Sequence, residues 1–337
     1  MSVEKIISEW RKKVYKPIYW LEGEEDFFID KVMDFAEHHI LPESEASFNL
    51  TVFYGKDANW TDVVNACCRY PMFAERQVVL LKEAQQMRDI DKLESYIEKP
   101  LASTIFVVSY KEKKVDGRSR LARLLKEKGV MLTTKKMYEN QLPEWTSGLV
   151  NSKGYTISQK ALFLLVDHIG NDLSRIDNEV NKVLVNLGER KNITEDDIEK
   201  YVGISKEYNP FELQDALARK DLVKAIRIIQ YFEANPKAGP IQLILPALYN
   251  LFSKTYMIFG QSAKDEKLIA SNIGVNPYFV KDYMVAAKNY GYEGVENALL
   301  LLHAYNLKSV GVNDIGSSDA SLMKEMVVKI LYAKDAN

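Results

Sequence analysis

The part of this sequence best placed to do chemistry is the turn after its first predicted strand, residues 22–26 (EGEED). In a nucleotide-binding fold this turn would hold the pattern G-x-x-x-x-G-K-[ST], whose backbone amides and lysine bind phosphate oxygens. Four carboxylates in five residues repel a triphosphate instead. The single Gly-Lys pair, Gly55-Lys56, follows the second predicted strand and precedes Asp57 rather than Ser or Thr. We therefore expect no ATP hydrolysis by this chain.

Histidine, cysteine and serine patterns offer no other catalytic site. The sequence contains no G-x-S-x-G, H-E-x-x-H or G-x-G-x-x-G motif. Cys67 and Cys68 are adjacent, which suits neither a disulfide nor a zinc site, and no further cysteine is present. The sequence predicts a protein with no catalytic residue, no metal and no cofactor.

The charged residues are unevenly distributed, although the net charge is only −2. Residues 21–50 carry nine acidic groups and one basic group, whereas residues 111–136 carry ten basic groups and three acidic ones. The near-neutral total argues against a protein that coats nucleic acid, but a local basic run can still contact phosphates. The alternative is that both runs are solvated surface.

Length and hydropathy indicate a multidomain protein without a membrane span. A chain of 337 residues suits two or three domains. No apolar run approaches the ~18 residues that a membrane-spanning helix needs. The N-terminal residues are charged rather than an apolar signal core, so we expect a cytoplasmic protein without membrane contact.

The elements that must position any site form two patterns. Over about the first 135 residues, short apolar segments alternate with helical ones. The predicted strands are 17–21, 47–54, 77–81, 104–110 and 130–134, and the predicted helices between them are 26–40, 60–70, 89–98 and 118–128. This alternation predicts a five-stranded parallel sheet covered by helices on both faces.

The rest of the chain has helical periodicity only. Residues 140–203 form amphipathic segments without a strand pattern, which predicts a small all-α domain. From Asn209 onward the sequence is helical again, and Asn209-Pro210 and Asn276-Pro277 each place a capping amide before a proline of the first helical turn. The predicted fold class is an α/β domain followed by two all-α domains.

Three stretches together resemble the delta subunits of the bacterial DNA polymerase III clamp loader. Residues 18–25 (IYWLEGEE) are similar to the opening strand and acidic turn of that family. Residues 71–79 (PMFAERQVV) resemble its clamp-contact segment, and residues 170–180 (GNDLSRIDNEV) resemble a helix of its second domain. The order and spacing agree, and the likeness extends over essentially the full length.

The resemblance implies three domains. Residues 1–138 would form a degenerate AAA+ (RecA-like) domain that carries the clamp-contact segment. Residues 139–206 would form a helical lid, and residues 207–337 a helical collar for oligomerisation. The absent phosphate loop is what this family would show.

The resemblance also implies a function. A delta subunit binds the β sliding clamp and holds its ring open for loading onto primed DNA, while sister subunits hydrolyse ATP. The chain would be a non-catalytic subunit of a DNA polymerase (nucleotidyltransferase) holoenzyme, associated with the nucleoid in the bacterial cytoplasm. Its other partners would be the tau/gamma-type ATPase and delta-prime subunits, bound through the collar, and the primer-template DNA inside the complex.

The expected clamp-binding residues are Pro71, Met72, Phe73, Glu75 and Arg76. Pro71 ends a predicted helix and the next strand begins near residue 77, so residues 71–76 should lie on a surface connection. Met72 and Phe73 are expected to enter an apolar pocket on the clamp, with Glu75 and Arg76 at its polar rim. The alternative is that Phe73 folds inward against the sheet.

The basic run supplies the candidate DNA-facing residues. They are Lys111, Lys113, Lys114, Arg118, Arg120 and Arg123. Their alternative role is a solvated surface.

Three other functions stay open at this point. The first is a delta-prime-like stator, although the zinc-binding cysteines and the Ser-Arg-Cys setting of that relative are missing and Ser119-Arg120-Leu121 is the nearest match. The second is a DNA-binding adaptor that acts through residues 111–136 alone. The third is a Rossmann-type enzyme whose motif is not recognised.

Overall fold

The computed structural model describes residues 1–261, 265–314 and 316–332 of the chain. The chain divides into two compact units, Met1–Leu142 and Pro143–Asn337. The division of the second unit into a lid and a collar stays a prediction. Among the described residues, no helix is both long and apolar enough to span a membrane.

The first unit is built on a five-stranded parallel sheet. Its strands are β1 Ile18–Gly23, β2 Leu50–Tyr54, β3 Gln77–Lys82, β4 Thr104–Lys111 and β5 Val130–Thr134. The spatial order is β2-β3-β4-β1-β5, and every neighbouring pair is parallel. Each connection must therefore cross from one end of the sheet to the other, which is why helices lie between the strands. The predicted fold class is confirmed.

Helices cover both faces of this sheet. They are α1 Val3–Arg11, α2 Asp26–His39, α3 Glu43–Asn49, α4 Trp60–Cys67, α5 Glu94–Ile97 and α6 Arg120–Lys128. Successive side chains of β1 point to opposite faces. Tyr19 and Leu21 pack with α1 and α2, whereas Ile18 and Trp20 pack in a second cluster with α4, α5 and α6. Both faces are thus apolar cores, which explains why the strands have continuous apolar sequences.

The second predicted strand starts later than expected. Its alternating pattern was expected from residue 47, but residues 43–49 form α3 and the strand begins at Leu50. Pro42 takes the N-cap position, and Glu43 and Glu45 lie in the first turn, where carboxylates interact favourably with the helix dipole. The expected strand residues 47–49 are therefore helical.

The remainder of the chain is mainly helical. The helices are α7 Leu142–Ser152, α8 Gln159–Ile169, α9 Leu173–Asn186, α10 Glu195–Asp197, α11 Pro210–Ala218, α12 Leu222–Ala234, α13 Ile241–Ile258, α14 Glu266–Ile273, α15 Val280–Ser309 and α16 Asp319–Leu331. Helix α15 is kinked at Gly291, whose φ is 66°. The side chains of Asn209 and Asn276 accept hydrogen bonds from the amides that follow them, as the capping pattern predicted.

The structure adds one strand pair that the sequence pattern did not predict. Strands β6 Thr156–Ile157 and β7 Asn192–Ile193 pair in parallel. Each has only two residues, too few to show a period of two in the sequence.

Candidate partner-binding site

The acidic turn after β1 is fixed by its own carboxylates. Glu22 is buried, and its Oε2 accepts hydrogen bonds from Trp20 Nε1 at 3.2 Å and from the Val115 amide at 3.0 Å. Gly23 has a φ of 131°, and a Cβ there would come within 2.2 Å of the Thr134 carbonyl oxygen. Burial raises the pKa of the Asp26 carboxyl at the start of α2, although Lys111 opposes the rise. The turn therefore positions neighbouring loops and presents acidic groups where a phosphate site would need cations.

A cavity of about 240 Å³ lies at the carboxyl ends of β2, β3 and β4, where open parallel sheets commonly bind ligands. Its two lysines are both paired with carboxylates of α2. Lys82 Nζ lies 2.5 Å from Glu37, and Lys111 Nζ lies 2.7 Å from Asp30. Across the described residues, no group of three or more His, Cys, Asp or Glu side chains could hold a metal ion. Among the described residues that line the cavity, no lysine or arginine is thus left unpaired to bind an anion.

The segment from Pro71 to Arg76 is a loop between α4 and β3. Met72 is 53% exposed and Phe73 is 98% exposed, so neither belongs to a core. Phe73 has a φ of 52°, a left-handed conformation that is unusual for a bulky residue and costs on the order of 1 kcal/mol. The alternative, in which Phe73 folds inward against the sheet, is therefore wrong. The loop instead presents two adjacent apolar side chains to solvent.

Asn49, the last residue of α3, holds this loop through its carboxamide. Its Oδ1 accepts a hydrogen bond from the Met72 amide at 2.7 Å, and its Nδ2 donates to the Met72 carbonyl at 3.0 Å. The same Nδ2 donates to the Glu45 carbonyl at 3.1 Å. Asn49 is 3% exposed. The backbone of Met72 is therefore fixed while its side chain remains free.

The other end of the loop is also anchored. The Arg76 guanidinium lies 4.9 Å from the centre of the Tyr15 ring, within the range of a cation–π contact. The next residue, Gln77, is buried, and its Nε2 donates to the Arg69 carbonyl at 2.6 Å and to Thr104 Oγ1 at 2.8 Å. Residues 72 and 73 thus lie between two fixed points.

The structure adds two exposed aromatic residues near this loop that the sequence analysis did not select. Phe48, on α3 directly before Asn49, is 68% exposed, and Tyr70, two residues before Met72, is 77% exposed. Phe48 was assigned to a predicted strand, so its exposure was not foreseen. Phe48, Tyr70, Met72 and Phe73 are thus four exposed apolar or aromatic side chains that lie close in sequence or on segments joined by the Asn49–Met72 bonds, and we refer to them as the apolar patch. Exposed apolar residues grouped in this way are typical of an interaction site.

The basic run is only partly available for a partner. Three of its six candidate residues are paired with carboxylates of this chain. The pairs are Lys111–Asp30 at 2.7 Å, Arg118–Asp116 at 3.2 Å and Arg120–Glu98 at 3.0 Å. Lys113, Lys114 and Arg123 are exposed, and within the described ranges no carboxylate lies at ion-pair distance from them. The predicted helix 118–128 starts two residues too early, because α6 begins at Arg120 with Ser119 as its N-cap, and Arg118 therefore lies before the helix.

Comparisons with known proteins agree on one family. The family model "DNA polymerase III, delta subunit" matches residues 19–135. The DNA polymerase III subunit delta of Bacillus subtilis is 25% identical, over 97% of this chain and 96% of the relative. A protein of Aquifex aeolicus named "Probable DNA polymerase III subunit delta" is 22% identical, over 85% of this chain and 83% of the relative.

A solved structure gives the same result. The clamp loader delta protein of Bacillus subtilis superposes with a TM-score of 0.54 at 25% identity, and the match covers 98% of this chain and 99% of that one. The match therefore extends well beyond the sheet-containing unit. Over nearly its full length, the chain is therefore similar to the delta subunit of the bacterial DNA polymerase III clamp loader.

Proposed function

We propose that this chain binds the β sliding clamp through Met72 and Phe73 and holds the clamp ring open during loading onto primed DNA. The observation that carries the proposal is Phe73, which is 98% exposed in a left-handed backbone conformation. A bulky apolar side chain held in this way costs free energy in the free protein, and such strain concentrates at functional sites. Burial in a partner's pocket would recover that cost.

The chemistry of the loop suits an apolar pocket with a polar edge. Met72 offers a flexible, polarisable side chain, and Phe73 a large, rigid ring. Glu75 is exposed beside them, and Arg76 is half-buried against Tyr15, so both lie at the rim of the proposed contact. Buried aromatic anchors typically cost at least ~2 kcal/mol when truncated, or about 30-fold in dissociation constant.

We propose further that the chain does not hydrolyse ATP and leaves that step to sister subunits. The acidic turn at residues 22–26 and the paired lysines of the adjoining cavity support this proposal, because a triphosphate needs unpaired cations and free amides. The chain would then act within the polymerase holoenzyme as a binding subunit.

The remaining proposed partners follow from the same assignment. The helices from residue 207 onward would form the collar that binds the tau/gamma-type ATPase and delta-prime subunits. Primer-template DNA would approach the basic run, chiefly at Lys113, Lys114 and Arg123, since these cations have no carboxylate partner among the described residues.

The decisive experiment compares clamp binding by the full chain and by a Met72→Ala/Phe73→Ala variant, using the clamp of the same organism. We expect the variant to bind at least about 30-fold more weakly, with an unchanged thermal midpoint. Tyr138→Ala is the matched control, because Tyr138 is a 76% exposed aromatic residue outside the loop. Normal binding by the double variant would refute the proposal.

A further inference from the structure

The side chain of Asn49 uses both its nitrogen and its oxygen to hold backbone groups of other residues. Its oxygen accepts from the Met72 amide, and its nitrogen donates to the carbonyls of Met72 and Glu45. A primary amide has two N–H groups, and here each has a carbonyl partner. The carboxamide pairs with both polar groups of the Met72 backbone, as a neighbouring strand would.

These bonds act on a backbone that lacks other regular pairing. Residues 71–76 form neither helix nor strand, so Met72 has no partner from a ladder or a helical turn. Asn49 is 3% exposed, which shields its bonds from competing water. Phe73 is the next residue, and its φ is 52°. The peptide group that joins it to Met72 includes the carbonyl that Asn49 holds. Without Asn49, the left-handed conformation would have to compete with the extended and helical ones that Phe prefers.

We infer that Asn49 is a positioning residue for clamp binding, which pre-organises the loop so that Met72 and Phe73 face the clamp before they touch it. This inference rests on the proposed function. The side chain of Asn49 is buried and does not itself contact the partner. Its contribution is to remove the loss of conformational freedom that a mobile loop would suffer on binding.

A double-mutant cycle tests this role, with clamp affinity as the readout. The four proteins are the full chain, Asn49→Ala, Met72→Ala/Phe73→Ala, and the combined variant. We expect Asn49→Ala alone to weaken binding by about 10-fold, because two buried backbone contacts are lost. In the Met72→Ala/Phe73→Ala variant, adding Asn49→Ala should change the affinity by about twofold or less, because Asn49 acts only through the side chains of Met72 and Phe73.

Two further measurements exclude a general loss of stability. Asn209→Ala removes another buried Asn, 2% exposed, whose Oδ1 accepts from the amides of Phe211 and Glu212 in the second unit. This control should leave clamp affinity unchanged. Amide hydrogen exchange at Met72 should be slow in the full chain, fast in Asn49→Ala, and slow in Asn209→Ala.

The outcomes separate this inference from the proposed function. If Met72→Ala/Phe73→Ala binds normally, the proposed function is wrong. If that variant binds weakly but Asn49→Ala binds normally, or if Asn49→Ala weakens binding equally in both backgrounds, only the role of Asn49 is wrong. Fast exchange at Met72 in the full chain, or loss of folding by Asn49→Ala, would also overturn it.

Discussion

Arg76 covers the ring of Tyr15 at 4.9 Å and so ties the loop before β3 to the segment between α1 and β1. Burial raises the pKa of the Tyr15 phenol, and the guanidinium partly offsets that rise. The pKa of Tyr15 therefore reports on this contact and can be measured in the free protein.

Arg76→Gln should raise the pKa of Tyr15 further, because it removes a positive charge that favours the phenolate. NMR titration of ring-labelled tyrosine would resolve Tyr15 from the other tyrosines. Arg69→Gln, a substitution at a nearby arginine of the same connection, is the control and should leave the titration unchanged. A Tyr15 pKa that falls or stays constant in Arg76→Gln would show that the ring and the guanidinium are apart in solution.

Phe48→Ala should weaken clamp binding by roughly fivefold, or about 1 kcal/mol, less than the loss expected for Phe73→Ala. Phe48 is 68% exposed on α3, beside the residue that holds Met72, and so extends the apolar patch. Its lower exposure relative to Phe73 suits a rim position. Affinity measured against the clamp, with Tyr138→Ala as control, checks this expectation, and an affinity equal to that of the full chain would restrict the contact to the loop.

Replacing Lys113, Lys114 and Arg123 with glutamine should reduce the salt dependence of DNA binding by the assembled loader. Each lost phosphate contact lowers the slope of log K against log salt by about 1. Arg118→Gln/Arg120→Gln should have a smaller effect, because Asp116 and Glu98 already pair with these arginines. Equal slopes for both sets and for the full chain would assign the run to solvated surface.

ATP should not bind the purified chain at micromolar concentration. The two lysines that line the cavity at the carboxyl ends of the strands, Lys82 and Lys111, are paired with Glu37 and Asp30. Equilibrium dialysis with labelled ATP and magnesium measures this directly. Saturable binding would require these pairs to break and would contradict the proposal that sister subunits supply the nucleotide chemistry.

Acid should destabilise the second unit through Asp197. Burial alone would raise the pKa of this carboxyl, but hydrogen bonds from Arg190, at 2.6 Å and 3.1 Å, and from Thr194 outweigh burial and lower it. A carboxyl whose pKa is lower in the folded state stabilises above its unfolded pKa of about 4, and this stabilisation is lost as pH falls through the folded value.

Asp197→Asn should therefore reduce the free energy of unfolding by about 1–3 kcal/mol at pH 7 and flatten its dependence on pH below about 4. Urea unfolding at several pH values gives both quantities. Asp172→Asn, which changes an exposed helix-capping aspartate, is the control. An acid dependence in Asp197→Asn identical to that of the full chain would remove this pair as its cause.

The sheet could be predicted from the sequence because its central strands, β1, β3 and β4, are buried on both faces. β5 has the predicted bounds, Val130–Thr134, and β3 and β4 differ from the predicted segments by one residue at the end. Helix α3 could not be predicted, since its last three residues, 47–49 (SFN), belong to an alternating pattern that continues into β2. Pro42 at the N-cap and the two glutamates of the first turn, which interact favourably with the helix dipole, stabilise the helix instead.

Only part of the candidate site could be predicted, because some of its features depend on contacts between residues far apart in the sequence. Pro71 and the short distance to β3 place Met72 and Phe73 in a connection, which is local information. The bond from Asn49 to Met72 spans 23 positions and has no local pattern. The pairing of Lys111 with Asp30 spans 81 positions. Contacts of this kind follow from the topology and not from any window of sequence.

The position of β2 at the margin of the sheet has an evolutionary consequence. In the order β2-β3-β4-β1-β5 this strand is half-buried over most of its length, whereas β1 is buried throughout. Substitutions in α3, β2 and the adjoining loop therefore disturb few core contacts. The residues of this edge can therefore change together with the binding surface of a partner, while the central strands stay constrained. Homologues can diverge here in sequence without losing the fold.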